Sequence, residues 1–410
     1  MSLSSEVQIL TPPIPSLGSR DVGQGESTSA KPASLPPKPK GSRYQTLDAV
    51  RGMACLMLLL YHATFYADHS WSSADPATWS LAGLAVNLVG RLWMGVPMFF
   101  VVSGYCIAAS VDSLRRKPHS LSQYFYRRIR RIYPPFWAAI LLGAGFTWAV
   151  GWNSVVAEQC LQLPKLASFT PVDWIANITA TASWLPELLG GERTYLLLNT
   201  WTLCYEEQFY AVTGLLLVLA SRRFFSACYS IALGALVIRH LCRWRGIGID
   251  GYFFDGHWLL FAAGILLYHR VNYLQGRAAW WAHGALAAGM VYGLGERLFA
   301  ASAHDRHVGE YILVAAAFAL LLSPLKRWDE RLAAHWSLRP FQWTGSFSYS
   351  IYLVHFPITV WIGCVMAAAG WHSDLRVLIG TMPLCLVVSL AVAWMFHRFI
   401  ERHFANVPQR

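Results

Sequence analysis

Ten apolar segments, each about long enough to cross a lipid bilayer, follow one another between residues 47 and 396. A span needs about 20 apolar residues. Lipid offers no partner to a bare backbone amide, so runs of this length close their hydrogen bonds as helices. The segments are 47–67, 83–110, 132–151, 196–220, 224–241, 252–269, 278–297, 308–324, 343–367 and 376–396. They predict an all-α integral membrane protein with about ten transmembrane helices. Composition agrees: 55% of residues are hydrophobic and 13% charged, and 19 Trp and 18 Tyr suit two interfacial aromatic belts.

The basic residues sort by loop. Loops predicted on one side hold Arg115, Arg116, Lys117, Arg127, Arg128, Arg130 and Arg131, then Arg222, Arg223, Arg270, Arg277, Lys326, Arg327, Arg331 and Arg339. On the other side, residues 68–82 carry no Lys or Arg, and 152–195 only Lys165 and Arg193. The positive-inside rule therefore puts both termini in the cytosol, in the cell (inner) membrane if the host is bacterial. Arg243 and Arg245 are the exception. The net charge of +11 is then topology, and no nucleic-acid partner is expected. Residues 1–42, rich in Pro, Ser and Gly, predict a disordered cytosolic tail before a membrane domain at 43–403, with a short tail at 404–410. No inverted repeat is visible, which counts against a secondary transporter. The eight cysteines lack CxxC spacing and lie mostly in apolar runs. They read as small hydrophobes rather than a disulfide framework, and no metal site is legible.

The first segment, TLDAVRGMACLMLLLYHATFY (46–66), keeps Asp48, Arg51 and His62 in apolar surroundings. Eleven helical steps of about 100° bring Arg51 and His62 to within about 20° of one face, about 16 Å apart along the axis. Asp48 lies one turn before Arg51 and can pair with it. An imidazole in hydrocarbon is costly, and is kept because a neighbouring helix binds it or because it works. The working role is a general base near neutral pH.

Four further stretches bear on the choice: GVPMFFVVSGYCI (95–107), YFYRRIRRIYPPFW (124–137), WTLCYEEQFY (201–210) and GSFSYSIYLVHFP (345–357). Arg128 and Arg131 stand about one helical turn apart, so they can converge on one phosphate cluster, although loop topology alone also places arginines there. Pro134 and Pro135 are expected to end or bend the helix carrying them. Gly95 and Gly104 permit close helix approach, and Ser103 can line a path beside them. Of the adjacent Glu206 and Glu207, at most one faces the bundle interior. Trp201, Tyr205 and Tyr210 offer faces for sugar stacking or for an interfacial belt. Tyr349, Tyr352 and His355 share a stripe that faces a cavity or a partner helix. His240, His257 and His269, near segment ends, read as interfacial or snorkelling groups.

With the Arg51-to-His62 spacing, these stretches resemble the membrane acyltransferase-3 family, multi-pass O-acyltransferases that modify surface carbohydrates. The resemblance runs in the family's order from about residue 44 to 401. It implies that an acyl group, most often acetyl, passes from acyl-CoA to a hydroxyl of a carbohydrate or glycolipid. By this resemblance the family's basic residue and histidine are Arg51 and His62, its paired arginines Arg128 and Arg131, and its acidic residue Glu206. Its Ser-Tyr-x-x-Tyr-Leu-x-His run is Ser348, Tyr349, Tyr352, Leu353 and His355. The closing FIERHF keeps Glu401 and Arg402 but not the family's following proline, at a site expected to be peripheral. No esterase-like domain follows the last segment, which implies a stand-alone version.

The chemistry to expect is a hydroxyl deprotonated as it attacks a thioester. His62 would act as base or carry the acyl group itself as an acyl-imidazole, beside Arg51, with acidic support from Asp48 or Glu206. Arg128, Arg131 and Ser103 would hold acetyl-CoA or another acyl-CoA. Tyr210, Trp201, Tyr349, Tyr352 and His355 would face the acceptor. Membrane lipids, the donor and the glycan are the expected partners, and no metal takes part. The rival reading is a transporter or flippase for a glycolipid or small polar solute, with the same polar stripe as its path. Such a carrier has no need of the arginine pair.

Overall fold

The structure is a computed structural model and describes residues 44–73, 75–116, 120–150, 160 and 164–405. The tail expected at 1–42 and the end of the one at 404–410 lie outside the described residues. Helices dominate, with no strand among the described residues. The main ones are α1 Thr46–Ala63, α2 Leu81–Gly90, α3 Gly95–Leu114, α4 Ser120–Val150, α5 Trp201–Leu219 and α6 Phe224–Arg245. They continue with α7 His257–Asn272, α8 Gly276–Phe299, α9 Ala303–Leu325, the short α10 Arg339–Ser346, α11 Ser348–Ala368 and α12 Met382–Phe396. Among the described residues, six helical stretches are long and apolar enough to cross a membrane: 81–114, 121–150, 221–245, 303–334, 348–368 and 374–405. The chain is a multi-pass integral membrane protein. Every segment read from the sequence contains a helix, and 83–110 is divided by a tight turn at Arg91–Met94 into α2 and α3.

The centre of the bundle is built from backbones that touch. A methyl group on Gly104 of α3 would run into the carbonyl oxygen of Phe261 on α7, and one on Gly264 into that of Val101. The same contact recurs between α1 and α10, where Gly52 faces the Phe341 carbonyl and Gly345 the Asp48 carbonyl. In lipid, where apolar surface gains little by leaving its solvent, such close packing supplies much of the helix–helix adhesion. Asp329 closes the start of α1. Its Oδ1 accepts from the Thr46 amide at 2.8 Å and the Thr46 hydroxyl at 2.7 Å, and its Oδ2 from the Gln45 amide at 3.0 Å. Amides left open at a helix start are thus satisfied by a carboxylate from a distant helix.

Three expectations change. First, of the two outcomes open at Pro134 and Pro135, an end to the helix is ruled out: α4 is one 31-residue helix running through both. Each proline removes one backbone bond, freeing the carbonyls of Arg130 and Arg131, and the turns on either side carry the helix on. Second, Cys160 and Cys364 form a disulfide, their Cα atoms 5.4 Å apart. It ties residue 160, ten beyond the end of α4, to the end of α11 across 204 residues of sequence, a pairing with no local spacing to betray it. The other six cysteines are free. Third, Arg243, one of the two exceptions to the loop rule, belongs to an acid-rich ion-pair network. Arg239, fully buried, reaches Glu296 at 3.0 Å and Asp305 at 2.6 Å, and Arg243 joins the same carboxylates at 2.7 and 3.4 Å. Two cations and two anions cancel locally, but the loop rule counts Lys and Arg alone, so Arg243 and Arg245 remain exceptions to it.

Candidate active site

The basic residues of α1 and α4 open onto two adjoining cavities. One, of about 700 Å³, is lined by Asp48, Arg51, Arg131, Ser348 and Glu401 among others. The second, of about 450 Å³, is lined by Arg51, Ser103, Arg127, Arg128, Arg131, Glu206, Tyr210 and Tyr349 among others. Arg51 and Arg131 belong to both walls and join them. Arg128 lies between two aromatic faces, its guanidinium carbon 4.4 Å from the Tyr124 ring centroid and 4.2 Å from that of Tyr210. Such a sandwich fixes a planar cation while leaving its edge free to meet an anion. Tyr210 donates its hydroxyl hydrogen to Glu206 at 2.9 Å. Of the two glutamates, Glu206 lines this cavity.

Above Glu206 the space narrows to a void of about 20 Å³, walled by Leu58, Val96, Phe99, Phe100, Thr202, Glu206 and Tyr352. Leu58 stands one helical turn below His62 on α1, and Tyr352 one turn below His355 on α11. The two imidazoles meet there. His62 Nδ1 lies 3.1 Å from His355 Nε2. His355 is 2% exposed, and its own Nδ1 faces the carbonyls of Ile351 at 2.8 Å and Tyr352 at 3.0 Å. Carbonyls only accept, so His355 carries its proton on Nδ1 and presents a bare Nε2. His62 must then donate from its own Nδ1, which leaves the lone pair on His62 Nε2. Phe65 and Phe356 pack edge-on against the half-buried His62 ring, with centroids 5.1 and 5.0 Å away. One imidazole thus sets the tautomer of the other.

The remaining sequence-derived residues separate by depth. Asp48 lies about 21 Å below His62 along α1, in the basic cavity with Arg51. Tyr349 stacks beside Tyr352, ring centroids 6.2 Å apart, and donates to the Ile132 carbonyl at 2.9 Å. Tyr352 donates to the Asn199 carbonyl at 2.9 Å and accepts from the Thr202 hydroxyl at 3.0 Å. Tyr210 faces the arginines, whereas Trp201, at the opposite end of the first turns of α5, packs with aromatic residues away from them. Two residues were misjudged from sequence. Glu401, taken as peripheral, is 4% exposed on a π-helical turn at His397–Glu401 and lines the cavity with Arg51. It accepts from Ser350 at 2.6 Å and contacts His397 Nδ1 at 2.9 Å. Its match to FIERHF was the available signal. His257, taken as interfacial, is 4% exposed, with Nδ1 2.8 Å from Asp255 Oδ1.

The fold is a multi-pass helical bundle with an arginine-lined cavity at one end and paired histidines beyond it, an arrangement suited to a membrane-embedded transferase. The chain belongs to the acyltransferase-3 family: the family's model, described as an acyltransferase domain, matches residues 44–398. It is 25% identical over 355 residues to a protein of Komagataeibacter xylinus named as a membrane-bound transacylase, covering 85% of this chain and 81% of that one. It is 24% identical over 389 residues to the peptidoglycan O-acetyltransferase OatA of Listeria monocytogenes, covering 87% of this chain and 55% of the relative. A Bacillus subtilis protein named as a peptidoglycan O-acetyltransferase is 23% identical over 387 residues, covering 87% and 54%. The chain spans about half the length of these two acetyltransferases. No solved structure matches it. It is an acyltransferase of the membrane.

Proposed function

We propose that this enzyme moves an acyl group, most simply acetyl, from acyl-CoA bound at the basic end to a hydroxyl of a carbohydrate or glycolipid reached from the other end, with His62 as general base. The observation that carries this reading is the His62–His355 pair, one turn beyond the void that shares Glu206 with a cavity lined by four arginines. Arg51, Arg127, Arg128 and Arg131 supply the charge that a polyanionic donor requires. The rise of about 16 Å from Arg51 to His62 suits a donor that is bound by its phosphates and reacts at the end of an extended arm. His62 Nε2 takes the hydroxyl proton as that oxygen bonds to the thioester carbonyl carbon. The carbon–sulfur bond then breaks, and the proton passes from His62 to the departing thiolate. His355 holds the His62 tautomer, and Glu206 with Tyr210 forms the floor beneath the thioester. Ser103 and Tyr349 line the donor's path, and Asp48 and Glu401 set the charge around Arg51.

The names of the relatives support an extracytoplasmic polysaccharide as acceptor, and the loop charges support a cytosolic basic end with both termini there. A carrier is less well supported, because the family whose model matches residues 44–398 is described as an acyltransferase domain. The test uses membrane vesicles of the producing cell and labelled acetyl-CoA. Label is expected in the carbohydrate fraction, and His62→Ala should abolish it while the purified variant still binds CoA. Undiminished labelling by His62→Ala would remove the histidine from the chemistry.

A further inference from the structure

Helices α3, α5, α7 and α9 all run towards the arginine-bearing end, so their starts share the opposite end. Four aromatic groups gather there. Trp93 lies just ahead of α3, Trp201 opens α5, His257 opens α7, and Tyr311 lies about two turns into α9. Trp93 stacks on Tyr311 at 5.3 Å between centroids, and Trp201 lies nearly parallel to Tyr311 at 6.3 Å. His257 meets Trp201 edge-on at 5.6 Å and Tyr311 at 6.0 Å. Belt residues turn their rings to lipid, whereas these turn them to one another. Trp93 and Trp201 stay half-buried, and His307, 4.6 Å from Tyr311, is largely exposed.

Asp255 holds His257 in this cluster. Its Oδ1 accepts from the His257 ring at 2.8 Å and from the His257 amide at 3.1 Å. Its Oδ2 accepts from the Gly251 amide at 3.0 Å and from the Tyr205 hydroxyl. The ring proton is therefore on Nδ1, and Nε2 of this buried imidazole has no hydrogen-bond partner among the described residues. The cluster adjoins the reaction path. The Phe100 ring lies 6.2 Å from His257 and 6.4 Å from Trp201, and the same side chain walls the void above Glu206. At the rim, Arg193 pairs with Glu187 at 2.9 Å, and His304 approaches Asp250 at 3.1 Å.

We propose that this cluster is the acceptor subsite: a pyranose ring lies against Trp201 and Trp93, and one of its hydroxyls donates to His257 Nε2. Sugars present apolar C–H faces that suit aromatic rings, and hydroxyls that need a fixed buried acceptor, and the cluster offers both. The inference rests on the reading of the chain as a carbohydrate acyltransferase. His257 is a binding and positioning group in this scheme, and the proton transfer stays with His62.

The test compares the full-length wild type with Trp201→Ala, Trp93→Ala and His257→Ala in membrane vesicles of the producing cell, which contain the acceptor whatever its identity. Label from acetyl-CoA in the carbohydrate fraction should fall about tenfold or more, while CoA affinity of the purified variants stays within about twofold. Trp201→Phe should restore most of the transfer, because it keeps a stacking face. Trp93→Ala guards against misfolding, since that ring is half-buried at the rim. Unchanged transfer in all three alanine variants, or CoA affinity lost in parallel with transfer, would overturn the subsite. Wild-type vesicles that release CoA and label no carbohydrate would instead overturn the proposed function itself.

Discussion

At His62 one proton position decides what the ring can do. Because His355 offers only a bare Nε2, His62 keeps its lone pair on the outer nitrogen. His355→Ala should therefore lower kcat about a hundredfold with CoA affinity unchanged, measured by labelled acetyl transfer. A fall in CoA affinity of the same size would assign His355 to the donor site. In the proposed scheme Arg128 would act through its flat shape as much as its charge, held between Tyr124 and Tyr210. Arg128→Ala should weaken CoA binding about tenfold in equilibrium binding, and Arg128→Lys should recover little, since an ammonium group does not lie between Tyr124 and Tyr210 as a guanidinium does. The 46–66 stretch made His62 legible as a polar residue in an apolar helix, and the Ser-Tyr-x-x-Tyr-Leu-x-His run did the same for His355. Their partnership was not legible, because 293 residues separate them. His257 was misread because closeness to a segment end was taken for closeness to the surface, while its partner Asp255 lies only two residues away.

Among the elements, the α3–α7 crossing depends on two residues without side chains. Gly264→Val should clash with the Val101 carbonyl and cost about 2 kcal/mol, seen as a lower thermal midpoint of the detergent-purified protein. Gly284→Ala on α8, where nothing lies within 4 Å, should not lower the midpoint and should raise it slightly, because alanine suits a helix interior better than glycine. The far ends of α6, α8 and α9 are held by the Arg239 network. Arg239→Met removes one charge from a buried group of four and should destabilise the protein by about 3 kcal/mol in the same measurement, because Asp305 and Glu296 lose their buried partner. Hydrophobic length located these helices, but it could not reveal the network. Arg239 and Glu296 lie in separate apolar segments and Asp305 between two of them, and each looks like a solvated end in its own context. Glycine positions were more legible: Gly104 stood out inside an apolar run, and it packs as small residues in membrane helices do.

For the molecule as a whole, α1 draws its neighbours from the far part of the chain. Alkylation before and after reduction should reveal two extra thiols, at Cys160 and Cys364, by peptide mass spectrometry. Their appearance without reduction would contradict the pairing. The order of apolar segments carried most of the helical architecture, since each segment contains a helix. Contacts between remote segments were beyond a reading of one sequence, as the disulfide and Glu401 illustrate. The arrangement around α1 also bears on how the protein is made. Asp329 caps this helix, Gly345 fits against it, and His355 accepts the hydrogen bond of its imidazole, all from residues translated some 280 to 300 positions later. During synthesis the first span must wait in the bilayer with its helix start uncapped and its imidazole lacking an acceptor. A ribosome that stalls before α10 would release an orphaned helix rather than a weakened enzyme, a ready target for membrane proteases.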